Sequence, residues 1–257
     1  MDLTEDFPGK GLSVAKPGII AALPLEVKCL SRVDIHPGSC ANIAENSILY
    51  YAGIGQKNAA QAAQFLIDSG ANALVSWGTA GALHPRLTPG DIVLPTAVID
   101  HAQNQRYPVT RRWHGALKSR LEHGLNPKTI HSQQNIVSTR EVQSGPRQKK
   151  ALHQVTGAIA VDMESAAIAA VASRENKPFV VIRSISDTVA MRLPQSALKA
   201  IDRYGKISLL GLSTALLKTP TELRHYPALI RALSKTKRSL RQIVALCGLH
   251  LCLEEIL

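Results

Sequence analysis

The stretch AVDMESAAIAAVA places two carboxylates, Asp162 and Glu164, on either side of Met163. The apolar run before them predicts a strand over 157–163, and the alanine-rich run after them predicts a helix over 164–176. Side chains two apart in an extended segment point the same way. Both acids could therefore face a pocket at the end of a sheet and accept hydrogen bonds from the cis-diol of a ribose. Acids in the first turn of a helix also favour its dipole, so this structural explanation stays open.

A further acid, Asp187, ends the apolar run PFVVIRSISD. That run predicts a buried strand over 178–187. An aspartate at this position either caps the following turn or holds a proton for transfer to a ligand at the sheet edge. Arg183, inside the same strand, is costly to bury and needs an acidic partner. Asp187 or an acid on a neighbouring strand would supply that charge.

Two glycine-rich stretches follow apolar runs, AGIG at 52–55 and GTAG at 78–81. Both are predicted to be turns at strand ends, where backbone N–H groups can cradle an anion. Neither matches the dinucleotide GxGxxG pattern or the phosphate-binding GxxxxGK[ST] pattern, so tight packing explains each equally well. Glu26 comes directly after the first predicted strand, and a surface position on a helix explains it equally well.

The order of the predicted elements indicates the fold class. Apolar strands alternate with helices, and the strands before the middle of the chain are predicted at 18–23, 47–55, 73–83 and 91–99. This alternation predicts an α/β fold around a mostly parallel or mixed central sheet flanked by helices, with a helical C-terminal extension. Ligands of such sheets bind beyond the carboxyl ends of the strands.

The same pattern divides the chain into three parts. Residues 1–17 are predicted to be an N-terminal tail, 18–195 a catalytic domain, and 196–257 a closing helix followed by a basic helical extension. The polar, basic segment 101–150 gives no clean pattern, apart from a helix near 113–123 and a strand near 135–138.

Composition limits the class of partner. The chain carries a net charge of +11, which favours an anionic partner such as phosphate, nucleic acid or a membrane surface. Only 4% of its residues are aromatic, which argues against a stacking platform for single-stranded nucleic acid. The cysteines form no CxxC pair and the histidines show no ligand spacing, so no metal and no disulfide framework is predicted. The polar N-terminus and the absence of a bilayer-length apolar run predict a cytoplasmic protein.

Five stretches occur in a fixed order along the chain: GIIAALPLE at 18–26, AGIGQKNAA at 52–60, SWGTAGALHPRLTPGDIVLP at 76–95, AVDMESAAIA at 160–169 and PFVVIRSISD at 178–187. Together they resemble the purine nucleoside phosphorylase superfamily, in the branch that contains the 5′-methylthioadenosine/S-adenosylhomocysteine nucleosidases. The resemblance spans residues 18–190. It implies an enzyme that cleaves the N-glycosidic bond of an adenine nucleoside.

The resemblance also implies roles for the candidate residues. Asp187 is expected to protonate the leaving purine at N7, and Glu26 to activate the attacking water. Glu164 is expected to bind the ribose hydroxyls, with Met163 packed against the sugar. The other substrate-binding candidates are Asp162, Gly78, Thr79, Ala80, Gly81 and Ser186. These residue types suit the chemistry, because glycosidases use one acid on the leaving group and one carboxylate on water while oxocarbenium-like charge builds on the sugar.

The sequence departs from the nucleosidase pattern in two places. Ala52 stands where those enzymes usually carry a serine, and the segment STREVQSG lacks the aromatic residue that commonly stacks on adenine. Base and 5′-group specificity therefore stay open. Hydrolysis and phosphorolysis stay open too, because Glu26 favours water whereas the surplus of basic residues favours phosphate. Gly53 and Arg140 are candidate phosphate contacts, and a merely exposed arginine is the alternative for Arg140.

The C-terminal extension resembles that of the hopanoid-associated phosphorylases, another branch of the superfamily. This implies a substrate like adenosylhopane, in which a triterpenoid occupies the 5′ position of adenosine. Apolar residues at helical spacing alternate there with basic residues, namely Lys218, Arg224, Arg231, Lys235, Lys237, Arg238 and Arg241. A basic amphipathic helix can lie on an anionic membrane, which predicts peripheral contact at its inner face. The alternative is a helix packed on its own domain or on a second subunit.

Two other classes of function are open. A catalytically silent nucleoside-binding module would share the fold, although the joint retention of Glu26, Glu164 and Asp187 argues against it. A nucleic-acid-binding protein is disfavoured because no nucleic-acid motif is visible. The expected partner is a small nucleoside, lipid-linked if the hopanoid resemblance holds, with inorganic phosphate as a possible co-substrate and no other cofactor. A homodimer is expected from the resemblance and from the commonness of twofold assemblies.

Overall fold

The computed structural model describes residues 14–32, 34–206, 208, 211, 213–214 and 218–256. Most of the predicted N-terminal tail, parts of the extension between 207 and 217, and Leu257 lie outside these residues. The described strands are β1 (Pro17–Ala21), β2 (Cys40–Ala44), β3 (Ser47–Tyr51), β4 (Ala73–Ala82), β5 (Ile92–Val93), β6 (Ala97–Asp100), β7 (Gln105–Pro108), β8 (Ile130–His131), β9 (Ile136–Ser138), β10 (Ala160–Asp162) and β11 (Phe179–Asp187).

The helices lie between these strands and after them. They are α1 (Pro24–Leu30), α2 (Gln56–Asp68), α3 (Arg111–Gly124), α4 (Pro146–Thr156), α5 (Ser165–Arg174), α6 (Gln195–Ala200) and α7 (Tyr226–Cys247). Short 3₁₀ turns occur at Pro127–Thr129, Pro220–His225 and Leu253–Glu255.

The long strand β4 is the centre of a mixed sheet. It pairs in parallel with β1 and β11 and antiparallel with β10. Beyond β1 the sheet continues through β3 to the edge strand β2, and beyond β10 it continues through β9 and β6 to β7. β5 joins β11 to the short strand β8. The predicted α/β fold with a mixed central sheet is confirmed.

Helices cover both faces of the sheet. The alanine-rich helices α2 and α5 pack together in one buried cluster, because their small side chains allow close approach to each other and to the strands. The helices α1, α3 and α7 share the second cluster, which contains the fully buried Trp77 and Trp113. The carboxyl ends of β1, β10 and β11 lead into the connections that carry the candidate site.

Several predicted elements differ from the structure. The GTAG stretch is not a turn, because β4 runs through it and pairs with β11 as far as Gly81. The predicted strand over 91–99 is two strands, since Pro95 has no N–H for a ladder and β5 and β6 pair with different neighbours. β2, β7, β8 and α4 were not predicted. β2 is an edge strand with no fully buried residue, and the exposed Asn42 interrupts its short apolar stretch.

The apolar face of α7 packs on its own domain, which was one of the two alternatives for the basic helix. Ala232, Leu240 and Ile243 are buried, and Thr236 Oγ1 donates a hydrogen bond of 2.7 Å to the carbonyl of Ile185 on β11. The exposed positions carry basic residues that include Lys235, Arg238 and Arg241. None of the helices in the described part of the chain has the length and apolarity needed to cross a membrane.

Candidate active site

Glu26 is fixed at the carboxyl end of β1 by backbone donors from two elements. Pro24 begins α1 in a position where a missing N–H costs nothing. The first turn brings Oε2 of Glu26 to the N–H groups of Ala22 and Leu23, at 2.9 and 3.0 Å. Oε1 accepts hydrogen bonds from the N–H and the hydroxyl of Thr79 on β4, at 2.8 and 3.0 Å. These four hydrogen bonds hold the carboxylate rigidly at a position where Glu26 is only 3% exposed.

Gly78 allows β4 to approach that carboxylate. Its φ is +152°, and a Cβ atom there would lie 2.4 Å from Oε1 of Glu26. The GTAG stretch therefore packs β4 against the carboxylate of Glu26. Burial raises the pKa of Glu26, while the charge of Arg183 and the backbone donors oppose this shift. A buried carboxylate with a raised pKa is a suitable general base near neutral pH.

Asp162 and Arg183 form a buried ion pair on the sheet. Nε and Nη2 of Arg183 lie 2.9 and 2.7 Å from Oδ2 of Asp162, and the two side chains are 3% and 1% exposed. Nη2 also donates to the hydroxyls of Ser76 and Ser165, while Ser138 and Ser165 donate to the Asp162 carboxylate. The partner of Arg183 is therefore Asp162 and not Asp187. The expectation that both acids of the DME stretch present carboxylates to a ligand is corrected for Asp162, whose oxygens are bonded within the protein.

Glu164 is the acid of that stretch with spare capacity. Glu164 directly precedes α5, and its Oε1 accepts a hydrogen bond of 2.8 Å from the N–H of Gly55. The N–H group at the end of the AGIG stretch therefore binds the carboxylate of Glu164. Oε2 has only a long contact of 3.3 Å with the N–H of Met163. Burial and the nearby Asp162 raise the pKa of Glu164 to about 7. Its remaining acceptor positions are available to hydroxyl groups.

Asp187 is held at the end of β11 by two side chains. Ser186 Oγ donates a hydrogen bond of 2.6 Å to Oδ1, and the ammonium of Lys149 pairs with Oδ2. Lys149 lies on α4 and is completely buried. Gly81 faces the carboxyl group, because a Cβ atom there would lie 3.3 Å from Oδ2.

Lys149 contacts the site although the sequence pattern does not reveal it. It stands in the basic run RQKK, where most lysines would be solvated. The only signal is its spacing from Leu152, since the two residues are three apart and form the buried face of α4. That face is recognisable only once the helix has been placed.

A cavity of about 210 Å³ lies among these groups. Its lining includes five carboxylic acids, namely Glu26, Glu141, Asp162, Glu164 and Asp187, together with the expected contacts Thr79, Ala80, Gly81, Met163 and Ser186. Among the residues that the structure describes, no lysine, arginine or histidine lines this cavity. The same described residues contain no group of three or more His, Cys, Asp or Glu that could hold a metal ion.

Three residues of the predicted site lie outside this lining. Gly53 packs against the chain near residue 203, where a Cβ atom would lie 2.7 Å from the carbonyl of Arg203. Arg140 is exposed, although residues on both sides of it line the cavity. Neither candidate phosphate contact is brought to the site. Gly78 lies behind Thr79 and acts on the position of Glu26.

A second cavity, of about 1090 Å³, adjoins the first. The residues that line both cavities are Leu23, Thr79, Ser186, Asp187, Leu193 and Ile201. From there the second cavity extends between α1, α6 and α7, where its apolar lining includes Leu198, Leu229 and Leu233. Basic side chains, among them Lys28 and Arg241, also line it.

Comparison with known proteins identifies the class to which this fold and site belong. Residues 18–202 match the family described as the phosphorylase superfamily. The chain is 32% identical over 197 residues to the 5′-methylthioadenosine/S-adenosylhomocysteine nucleosidase of Anoxybacillus flavithermus, covering 66% of this chain and 84% of that protein. The chain therefore belongs to the phosphorylase superfamily, and it is an enzyme that cleaves glycosidic bonds.

Solved structures share the fold over nearly the whole chain. The 5′-methylthioadenosine/S-adenosylhomocysteine nucleosidase from S. pneumoniae, solved with a transition-state inhibitor, has a TM-score of 0.64 at 21% identity and covers 91% of this chain and 100% of that one. The futalosine hydrolase of Helicobacter pylori has a TM-score of 0.63 at 18% identity and covers 90% and 98%. At these identities the likeness is one of fold.

Proposed function

We propose that this protein hydrolyses the N-glycosidic bond of a 5′-substituted adenine nucleoside. The observation that carries the choice of hydrolysis is the lining of the smaller cavity, which has five carboxylic acids, two of them paired with buried cations, and no described basic side chain. A phosphate dianion would be repelled there, whereas a developing oxocarbenium ion and a neutral water would not. The names of the relatives, which are nucleosidases, agree with this choice.

Three of the carboxylic acids that line the cavity have a role in this proposal. Asp187 gives a proton to N7 of the purine as the bond from C1′ to N9 breaks and its electron pair passes to the base. Glu26 accepts the proton of the water that attacks C1′. Glu164 accepts hydrogen bonds from the ribose hydroxyls and so fixes the sugar between the acid and the base. A well-placed acid or base of this kind typically contributes ~10²–10⁴-fold to the rate.

Phosphorolysis has little support from the placement of basic residues. Arg140, the candidate phosphate contact, lines neither cavity in the described structure, and the same is true of Arg86, Arg106, Arg111 and Arg147. The basic side chains that are described at a cavity, such as Lys28 and Arg241, line only the second one. The buried Arg183 is already paired with Asp162.

The second cavity bears on the 5′ group. It is several times larger than the first, it is lined largely by apolar side chains, and it adjoins Asp187. We propose that it receives a bulky apolar 5′ substituent, which is the kind of group that the hopanoid resemblance implies. The named relatives act on 5′-methylthioadenosine and S-adenosylhomocysteine, so the comparisons favour smaller groups, and adenosylhopane stays a prediction. Membrane contact through α7, a cytoplasmic location and the homodimer also stay predictions.

A single set of assays tests hydrolysis. The purified protein is incubated with 5′-methylthioadenosine, S-adenosylhomocysteine and adenosylhopane in ¹⁸O-labelled water, with and without inorganic phosphate. We expect adenine and a free sugar labelled at C1, at a rate independent of phosphate. Adenine release by the Asp187→Asn variant should be at least ~10²-fold slower. A ribosyl 1-phosphate formed only with phosphate would overturn hydrolysis. Tight nucleoside binding without adenine release would favour the silent binding module.

A pair of variants tests the role of the second cavity. Leu233→Trp places a larger side chain in the cavity, whereas Ile230→Trp adds the same ring on the outer side of α7, where Ile230 is 59% exposed. We expect Leu233→Trp to lower kcat/KM for adenosylhopane at least ~10-fold and to leave 5′-methylthioadenosine unchanged, because only the larger 5′ group needs that space. Equal effects on both substrates would contradict this assignment.

A further inference from the structure

Lys149 is a completely buried cation for which the proposed reaction has no use. Its Nζ atom pairs with Oδ2 of Asp187 and donates hydrogen bonds to the carbonyls of Thr188 and Met191, at 2.8 and 3.3 Å. Burying an ammonium is costly unless it is paired and hydrogen-bonded. A lysine that is retained in such a place and that touches the proposed acid calls for a chemical explanation.

The pair places opposing demands on Asp187. As the donor to the leaving base, Asp187 must carry a proton when the nucleoside is bound. An adjacent ammonium favours the ionised form of a carboxyl group. A buried pair satisfies both conditions if the proton resides on lysine in the free enzyme and moves to the carboxylate for the reaction.

We propose that Lys149 stores the proton that Asp187 delivers to the leaving base, an inference that rests on the proposed function. An N–H bond of the ammonium breaks as an O–H bond forms on Asp187, which leaves a neutral amine and a neutral acid. The carboxyl proton then passes to N7 as the C1′–N9 bond breaks and its electrons go to the base. The attacking water gives its proton to Glu26. Exchange with solvent then removes this proton from Glu26 and returns a proton to Lys149.

The geometry suits both protonation states of the lysine. An ammonium has three N–H donors, and Nζ has three acceptors, one on Asp187 and the carbonyls of Thr188 and Met191. After the transfer, the amine keeps two N–H donors for the two carbonyls and accepts a hydrogen bond from the acid with its lone pair. The transfer therefore leaves no buried polar group unpaired, and the pair is neutral overall before and after it.

Other titratable groups surround the pair without replacing it. Arg183 on the same strand is paired with Asp162, and the ring of His153 on α4 meets that of His84 edge to face. The acids that line the cavity with Asp187 are Glu26 on α1, Glu141 after β9, Asp162 at the end of β10, and Glu164 directly before α5. These acids add negative charge around Asp187. Among the described residues, Lys149 is the one cation that forms an ion pair with Asp187.

Two substitutions separate proton storage from charge and packing. Arg keeps the positive charge and the donors but does not release a proton, whereas Met removes both. We expect Lys149→Arg and Lys149→Met each to lower kcat for adenine release at least ~10²-fold with little change in KM, the scale of a lost general acid. In Lys149→Met, activity should recover toward low pH, because Asp187 then takes its proton from solvent. The pH at which kcat falls on the alkaline side should thus move down.

The controls keep the inference distinct from the function on which it rests. Lys150→Met, at the exposed neighbouring position, should behave as wild type, and Lys149→Met should cost nothing further in an Asp187→Asn background. A wild-type value of kcat in Lys149→Arg would overturn proton storage. The same holds if the alkaline limb of the pH profile stays in place or moves up in Lys149→Met. Adenine release by the wild type would still uphold the proposed function in both cases. If the wild type releases no adenine, the proposed function is contradicted, and proton storage, which rests on it, is contradicted with it. Thermal unfolding shows whether each variant is folded. If Lys149→Met does not fold, the kcat of Lys149→Arg decides whether Lys149 stores the proton.

Discussion

Arg183 and Asp162 form an ion pair between β11 and β10 that is shielded from solvent, with Nη2 and Oδ2 2.7 Å apart. The pair ties together the strand that ends in Asp187 and the strand that leads to Glu164. Because Arg183 also binds Ser76 on β4, one guanidinium joins three strands directly beneath the candidate site. The positions of Asp187 and Glu164 therefore depend on an ion pair whose own charged atoms are already hydrogen-bonded within the protein.

Loss of this ion pair is expected to lower the free energy of unfolding. Asp162→Asn leaves the buried guanidinium without its counter-ion, and breaking a buried pair typically costs about 3–5 kcal/mol. The free energy of unfolding from urea titration measures the effect. Glu175→Gln is the matched control, since it removes an exposed pair with Arg174, and we expect a change within about 1 kcal/mol. Equal effects of the two substitutions would contradict a structural role for Asp162.

Gly78 is expected to tolerate no side chain. In Gly78→Ala the new methyl group would lie 2.4 Å from Oε1 of Glu26, so the carboxylate must move from the donors of Thr79. We expect kcat to fall at least ~10-fold, because a misplaced base loses most of its contribution. Gly115→Ala is the control in α3, where nothing lies near the added Cβ, and it should stabilise the protein by about 0.5–1 kcal/mol. Steady-state kinetics and thermal unfolding of both variants decide this.

Activity is expected to fall on the acid side at a higher pH than for an ordinary glutamate. Burial raises the pKa of Glu26, and a general base works only when it is ionised. As the pH drops through this raised pKa, Glu26 takes up a proton and water is no longer activated. The measurement is kcat against pH for adenine release. Glu26→Gln should lose ~10²–10⁴-fold in kcat, and a variant of near wild-type rate would remove Glu26 from the mechanism.

Nucleoside affinity is expected to weaken as the pH falls below neutrality. Burial and Asp162 raise the pKa of Glu164 to about 7. Below that pH the carboxyl group carries a proton and loses acceptor capacity for the ribose hydroxyls. The dissociation constant of a non-cleavable adenine nucleoside should then rise by up to ~10-fold per pH unit. Calorimetry from pH 8 to pH 6 measures this, and Glu164→Gln should bind weakly without that dependence. An identical slope in the variant would assign the effect to another group.

Much of the fold is visible in the sequence because its strands are buried on both faces. The runs at 18–23, 47–55 and 178–187 are largely apolar, and each holds a strand of the observed sheet. The edge strand β2 and the helix α4 were missed because their residues are polar or half-exposed. An apolar pattern reports burial, and these elements bury too little to show one.

The same contrast holds at the site. By its resemblance to a known family, the sequence pointed to Glu26, Glu164 and Asp187, and the structure brings all three to one cavity. Asp162 could not be distinguished from Glu164, since both acids lie two apart at the end of a strand. The pairing of β4 with β10 and β11 places Arg183 next to Asp162, which consumes that carboxylate.

The sequence by itself determined the alternation of buried strands and helices and pointed to three acids of the candidate site, because local burial and residue type can be read from neighbouring positions. Only the tertiary structure decided which acid is free, which is paired, and that Lys149 reaches Asp187 across 38 positions of sequence. The charge environment of a carboxylate depends on groups brought close by folding, and segments far apart along the chain supply those groups.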